Sequence, residues 1–549
     1  MATPAEKLAK SLEKLKSMQD DDGLAVVRSR DLSESDRKLL LNKGFIKKVM
    51  KGWYIPCRPD EQQGDSTSWY VSYWKFCALY LRERFGDNWV LSPEHSLLQH
   101  AGNRAIPKQL IVRAPGARNK VTDLIHETSL LEVRAKLPSE SEVTKKNGIR
   151  LFSVASGLAN CNPGFFSQHH IDARALLGVM PDPSEILHLL LQEGKTTIAG
   201  RLAGAFRNAG RAHLADDIMK TMRKAGFEIR ESDPFMKRYE PPPIPPSPPL
   251  PPSLSLPPSP PLPPSLPPHI IRLHLLWNTM RETVIGCFPK APGLPADQEN
   301  YLKSVEDVYA MDAYHSLSIE GYRVSAQLID KVRSGNWNPE WDDNDKTHRD
   351  AMAARGYWQA FLVVKKSVKK VLDGENAGAI AARDHGDWFR EMFSPGVTAG
   401  ILKASDLAGY RNTQVFIQRS RHIPPAAKAA REMISELFEL LKKESVPGVR
   451  AVLGHFFFVF IHPYMDGNGR MARFLMNVML ASGGYPWTVM PVENRSDYMH
   501  ALERASVHQD IRPFSELVAR FVETGIAGGS VTPAPEHGYP ISPHPPPDP

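Results

Sequence analysis

Cysteine is scarce in this chain. Four residues, Cys57, Cys77, Cys161 and Cys287, are scattered through 549 positions with no pair spacing. That excludes a disulfide framework and a cysteine-built zinc site, and it fits a reducing, cytoplasmic setting. Long apolar runs are missing as well. No stretch of about 18 uncharged apolar residues exists, so no membrane span is expected. The segment from Ala2 to Lys16 is charged and helix-like, without the apolar centre or small-residue cleavage site of a secretory signal. Charge is absent from one stretch altogether. Residues 241–268 contain 17 prolines and no ionisable side chain. Proline fixes φ and lacks an amide donor, which rules out helix and central strand there. The segment is expected to be extended polyproline II, reaching up to roughly 90 Å at ~3.1 Å per residue.

That stretch divides the chain. The predicted organisation is an N-terminal α+β region (1–60 and its continuation 61–237), a proline-rich linker (238–268), an all-α domain (269–530) and a proline-rich disordered tail (531–549). Positive charge is uneven. Residues 1–240 hold 37 Lys and Arg against 29 Asp and Glu, whereas the remainder holds 31 against 32. An anionic partner for the first half, nucleic acid being the commonest, weighs about evenly against a merely solvated mixed surface.

The N-terminal region reads as helix, helix, hairpin. Residues 4–19 place Leu8, Leu12 and Leu15 on one helical face. Ser33 is an N-cap for Glu34–Asn42, and Gly44 stops that helix. Phe45–Met50, the turn Lys51-Gly52 and Trp53–Ile55 then form a basic-tipped hairpin. This is the plan of a winged helix-turn-helix, and it resembles the N-terminal domain of abortive-infection antitoxins of the AbiEi kind. The resemblance implies DNA contacts from Arg37, Lys38, Lys43, Lys47, Lys48 and Lys51. Further on, Trp69, Tyr70, Tyr73 and Trp74 mark an aromatic helix, read as core. Leu110–Val112 marks a strand, and residues 184–226 read as helical.

The chemistry lies late in the chain. Residues 449–461 are apolar nearly all round, as in a buried helix. They run into His462-Pro463-Tyr464-Met465-Asp466-Gly467-Asn468-Gly469-Arg470-Met471-Ala472-Arg473, after which a second apolar helix passes through Phe474, Leu475, Val478 and Met479. Gly467, Asn468 and Gly469 at a helix start make an anion nest. Arg470 and Arg473 share a face and offer donors to phosphate oxygens. Asp466 is a hard oxygen ligand suited to a phosphate-bound Mg²⁺. His462 can accept a proton near neutral pH. Together these are the parts of a phosphate-centred transfer. The competing view is a capped loop beside a buried histidine.

This string resembles the Fic motif, H-P-F-x-[DE]-G-N-G-R-x-x-R, with Tyr464 in place of Phe, and the resemblance extends over roughly residues 270–525. It implies a helical domain with a small β-hairpin flap. The implied activity is protein adenylyltransfer, the movement of AMP from ATP to a Tyr, Ser or Thr hydroxyl of a target protein. His462 would be the base, Asp466 the Mg²⁺ ligand, and Gly467, Asn468, Gly469, Arg470 and Arg473 the ATP-binding set. Lysine stands near position 469 in phosphorylating members, which disfavours kinase chemistry; UMP or phosphocholine transfer stays open. Val415–Pro425, after Gly409-Tyr410-Arg411, matches the flap that docks the target as an added strand. Ser316, Glu320 and Gly321 match the inhibitory motif [ST]-x-x-x-E-[GN], in which Glu320 would pair with Arg473. Two alternatives remain beside it: a transcriptional regulator using the core as a nucleotide sensor, and a de-AMPylating enzyme. The oligomeric state, a homodimer included, is left open.

Overall fold

A computed structural model describes residues 3–19, 25–61, 64–235, 266–335 and 349–529. Most of the proline-rich segment and the whole predicted tail lie outside the described residues. The chain divides into two compact units. The first is Met1–Leu276 with Phe416–Ile423, and the second is Trp277–Val415 with Pro424–Pro549.

In the first unit the local signals act as the sequence suggests. Thr3 caps the helix Pro4–Ser17 through a reciprocal pair with Glu6, and Ser33 Oγ accepts from the Asp36 amide at the start of Glu34–Asn42. Gly44, at φ 72°, ends that helix where a side chain would be strained. Strands β1 (Val27–Arg28), β2 (Ile46–Met50) and β3 (Trp53–Pro56) form an antiparallel sheet in the order β1-β3-β2. A second sheet joins β4 (Val90–Leu91), β5 (Gln109–Ala114), β6 (Lys120–Asp123) and β7 (Ser129–Arg134) in the order β4-β5-β7-β6, with β5 and β7 parallel. β8 (Val143–Lys146) and β9 (Ile149–Phe152) pair antiparallel. The aromatic helix Thr67–Phe85 buries Trp69, Tyr73 and Phe76 in one apolar cluster with Trp53 and Leu110. Those rings are core, as expected, and not a stacking platform. Residues 184–226 form three helices, Ser184–Glu193, Thr196–Asn208 and Ala212–Lys224, the first ended by Gly194 in the left-handed region.

Among the described residues the second unit has no strand. Its helices are those over Gln298–Ile319, Ala326–Arg333, Arg349–Leu372, Ala377–Thr398, Ala427–Lys443, Pro447–Ile461, Asn468–Ala481, Arg495–His508 and Arg512–Ile526, together with the end of Pro268–Cys287. Pro268 thus opens a helix instead of closing the linker; proline is tolerated at a first helical position because its missing donor has no partner there. None of these helices is long and apolar enough to cross a membrane.

The β-hairpin predicted for Val415–Pro425 does not form. The segment is extended with a turn at Gln418–Arg419, where Ser420 N donates to Ile417 O, and it carries no ladder of its own. Pro424 and Pro425 lack amide donors, so a closing rung is unavailable. The carbonyls of Pro424 and Pro425 accept from the Gln414 and Arg411 side chains instead. Residues Phe416–Ile423 belong to the first unit, where the Arg421 carbonyl accepts from Ile106 N and Ile423 is buried in the aromatic cluster.

The loop 462–467 is framed by close helix packing. A Cβ on Gly356, in Arg349–Leu372, would overlap the Met392 carbonyl oxygen of Ala377–Thr398. Met392 and Phe393 in turn lie against Gly467. Gly356→Val should therefore force these two helices apart and cost roughly 1–3 kcal/mol. A lowered denaturation midpoint for the second unit is expected, and a midpoint equal to the parent's would show that the helices can part freely.

Candidate functional site

The loop 462–467 joins two helices that are buried almost throughout. Pro447–Ile461 ends at His462, which sits in the left-handed region at φ 53°, ψ 61°. For a residue with a Cβ that conformation costs roughly 1–2 kcal/mol, so the surroundings must hold it. Gly467, also left-handed at φ 81°, is the N-cap of Asn468–Ala481. A Cβ at Gly467 would meet the Phe393 ring at 2.8 Å. Tyr464 stacks on Phe389 with centroids 3.9 Å apart and planes 6° from parallel. An aromatic residue at 464 thus anchors the loop, as Phe would.

The individual side chains then separate into roles. His462 Nδ1 lies 3.2 Å from the Val459 carbonyl oxygen. Because that oxygen can only accept, Nδ1 carries the proton, and Nε2 is left as the basic nitrogen. Burial pushes the His462 pKa down to about 4, against a smaller opposing effect of the Val459 bond. Asp466 is 61% exposed at its side chain. Its Oδ1 accepts from Gly467 N at 2.6 Å and its Oδ2 from Arg470 Nη2 at 3.4 Å. Arg470 is 2% exposed, its guanidinium lies over the Tyr322 and Phe393 rings, and its Nε finds no partner among the described residues. Asn468, expected at the phosphates, uses its side chain otherwise. Oδ1 accepts from Tyr464 N and Nδ2 donates to Tyr464 O, both at 3.0 Å. It braces the loop and offers only its main chain to a ligand.

Arg473 is the second buried cation, again 2% exposed. Nε donates to Ser316 Oγ at 2.8 Å, and Nη2 donates to Ser316 O at 3.0 Å and to Glu320 Oε1 at 2.7 Å. The pairing read from the sequence across 153 positions is present. Glu320 is the C-cap of Gln298–Ile319, and Gly321, at φ 86°, turns the chain away behind it. A carboxylate at a helix C-terminus opposes the dipole. Burial also raises its pKa, but Arg473 and Arg470 outweigh this and hold the carboxyl below its usual range. Glu320 Oε1 lies so close to Gly469 that any Cβ there would overlap it. Gly469 is thus glycine for a steric reason.

Several participants escaped the sequence reading. Tyr498 OH lies 3.5 Å from Arg473 Nη1 and 2.8 Å from His455 Nε2. Arg495 Nε donates to the Ile319 carbonyl at the helix end beside Glu320. Arg411 lies behind the loop and is buried. These residues carry no local motif; only the folded chain brings them together.

The N-terminal basic set is less uniform. Lys38, Lys43, Lys48 and Lys51 are exposed, Lys38 with a surface pair to Glu34. Arg37 donates to the Ser29 carbonyl, and Lys47 Nζ is engaged by Glu61 Oε1 at 3.1 Å and Asp65 O at 3.0 Å. Lys47 is thus withdrawn from the set.

Could the loop hold a divalent cation? Among the described residues no cluster of three or more His, Cys, Asp or Glu forms a protein-only metal site. The exposed Asp466 carboxylate beside a glycine-opened helix N-terminus nevertheless fits a cation carried in by phosphate oxygens.

Residues 385–480 match the model of the Fic/DOC family. That stretch of the chain is therefore similar to the Fic/DOC family. "Protein adenylyltransferase Fic" of Nematostella vectensis is 42% identical over 121 residues, covering 21% of this chain and 28% of that protein. The protein of the same name from Drosophila grimshawi is 36% identical over 225 residues, 40% of this chain and 43% of that one. The chain thus spans less than half the length of these relatives. Among solved structures, "Fic-1 (aa134 - 508) from C. elegans" aligns with TM-score 0.35 and 17% identity, over 66% of this chain and 96% of that one.

Neutral His462 has a consequence for stability. The unfolded chain takes up the proton near pH 6.5, whereas the folded chain resists until about 4. Between those values the unfolded state binds more protons, so stability falls as pH falls through this window. His462→Gln should flatten that slope. Unfolding midpoints of parent and variant between pH 7 and 4.5 measure it, and parallel curves would mean that His462 titrates normally.

Proposed function

We propose that the chain is a self-inhibited protein adenylyltransferase, moving AMP from ATP to a hydroxyl of a target protein. The observation that carries this reading is the convergence at one helix N-terminus of a proton-accepting His462, the Asp466 carboxylate and two buried arginines, with Glu320 seated on one of them. The names of the relatives support the same reading.

In this reading the target hydroxyl gives its proton to His462 Nε2 as its oxygen attacks the α-phosphorus. The bond from that phosphorus to the bridging oxygen breaks, and pyrophosphate leaves with the electron pair. The backbone amides at Asn468 and Gly469, with Arg470, hold the phosphates, and the partnerless Arg470 Nε is a donor free to do so. Asp466 would hold Mg²⁺, which supplies charge neutralisation at phosphate oxygens. Glu320 competes for Arg473, so the γ-phosphate loses a cation while the pair is closed. Residues 415–425 would dock the target, as the resemblance implies. The removal of AMP from a modified target is the reverse use of the same residues, and it is separated by offering a pre-modified protein.

Two measurements test this. His462→Ala should lower the rate of AMP incorporation by ~10²–10⁴-fold while leaving ATP binding largely intact; transfer near the parent rate would dismiss His462 as the base. Glu320→Gly should raise incorporation, visible as a mass gain of one AMP, and adding Arg473→Ala should remove most of the gain. Equal rates for the parent and Glu320→Gly would refute self-inhibition.

For the first unit we infer a duplex-DNA-binding surface on Lys38, Lys43, Lys48 and Lys51, supported by their exposure and by the basic balance of residues 1–240. Arg37 would add to it, Lys47 would not. Full-length protein should bind DNA with an affinity that falls steeply with salt. Lys48→Glu with Lys51→Glu should weaken binding by about tenfold or more, and an unchanged affinity would exclude this face.

A further inference from the structure

We propose that Arg411 is a positioning residue for His462, and that it ties the histidine's backbone to both ends of the target-docking segment 415–425. The proposal rests on the adenylyltransfer reading of the same loop.

The argument begins with unsatisfied carbonyls. The last turn of an α-helix leaves carbonyl oxygens without intrahelical partners. Pro447–Ile461 is buried, so water is excluded from that end, and Pro463 has no amide to offer. Arg411 supplies the donors. Its Nε donates to the His462 carbonyl at 2.7 Å, its Nη2 reaches the Ile461 carbonyl at 3.4 Å, and its main-chain N donates to the Pro463 carbonyl at 2.9 Å. Three consecutive carbonyls through the catalytic-type histidine are thus held by one residue. The left-handed backbone of His462 aims its ring, and these bonds oppose relaxation of that backbone into an ordinary conformation.

The rest of the guanidinium faces the other way. Nη1 donates to the Thr413 carbonyl at 2.9 Å, and Nη2 donates to the Pro425 carbonyl at 2.5 Å. Thr413 and Pro425 bracket the docking segment. The planar fork therefore spans the base and both ends of the loop proposed to hold the target. A guanidinium can do this because its five donors are fixed in one plane; an ammonium would reach one or two of these oxygens. The side chain is 2% exposed, so its charge is not diluted by solvent. The charged groups facing His462 are Arg411, Glu320 and Asp466, and the Arg411 charge is one of the influences that lower the His462 pKa, after burial.

The experiment uses the full chain carrying Glu320→Gly, with Arg411→Met and Arg411→Lys added separately. Three quantities are measured: kcat for AMP incorporation, Kd for ATP–Mg²⁺, and the His462 imidazole titration by NMR, assigned by its loss in His462→Gln. Arg411→Met is expected to lower kcat by about 10–10²-fold, to move Kd by less than about threefold, and to shift the His462 titration upward. Arg411→Lys should recover part of the kcat. If the Met variant does not fold, the Lys variant alone carries the test, with an intermediate kcat and an unaltered Kd expected. A kcat within about twofold of the Glu320→Gly protein overturns the proposal. So does a Kd that rises in step with the loss of rate, which is the mark of a merely structural residue. If the Glu320→Gly protein transfers no AMP at all, the functional reading fails, and the titration still decides on Arg411: an unmoved His462 pKa overturns its role.

Discussion

A permanently charged guanidinium buried at Arg473 must be neutralised and hydrogen-bonded where it lies, and much of the second unit is arranged to do so. Removing such a cation from water costs several kcal/mol unless partners with good geometry replace the lost solvation. Here the partners come from one helix end. Ser316 contributes a hydroxyl and a carbonyl, Glu320 a carboxylate, and Tyr498 closes the remaining side. The helix Gln298–Ile319 must therefore end where it does, with Gly321 reversing the chain immediately behind the glutamate. Gly469 must lack a side chain for the same carboxylate to fit. Local backbone choices far apart in the chain answer to one charge.

A second cation organises the other side of the loop by different means. Arg411 binds carbonyl dipoles, so it fixes geometry where Arg473 fixes charge balance. The contrast matches the two demands that the proposed group transfer would make. A proton acceptor must be aimed, and its position tolerates little error. An anion-binding cation must be available, and its strength depends on what else occupies it.

The sequence made the loop legible because its residues are contiguous. His462, Asp466 and the glycines stand at motif spacing between two apolar runs that fold as buried helices. The Glu320–Arg473 pair was legible through a motif, since nothing in residue types links positions 153 apart. What the sequence concealed was direction and competition. Asn468 is the right type of residue to meet phosphate, yet Tyr464 takes both ends of its amide. Lys47 sits in a basic hairpin, yet Glu61 and the Asp65 carbonyl claim it. The resemblance implied a hairpin over Val415–Pro425, but two terminal prolines deny it a closing rung. Arg411 is visible in the sequence only as the residue that precedes the loop, because its acceptors are main-chain oxygens that no residue type announces.

One consequence follows from Gly469 and Glu320 sharing a single space. On the proposed reading a phosphate would enter that space, and since two anions cannot occupy it together, a nucleotide's apparent affinity would be its intrinsic affinity scaled by the fraction of molecules in which the carboxylate has left. A weak dissociation constant measured on the unaltered protein would then describe the glutamate's occupancy and not the quality of the nest beneath it. In that reading the pair would behave as a built-in competitor at fixed local concentration, its effect titrated by nucleotide but never washed away.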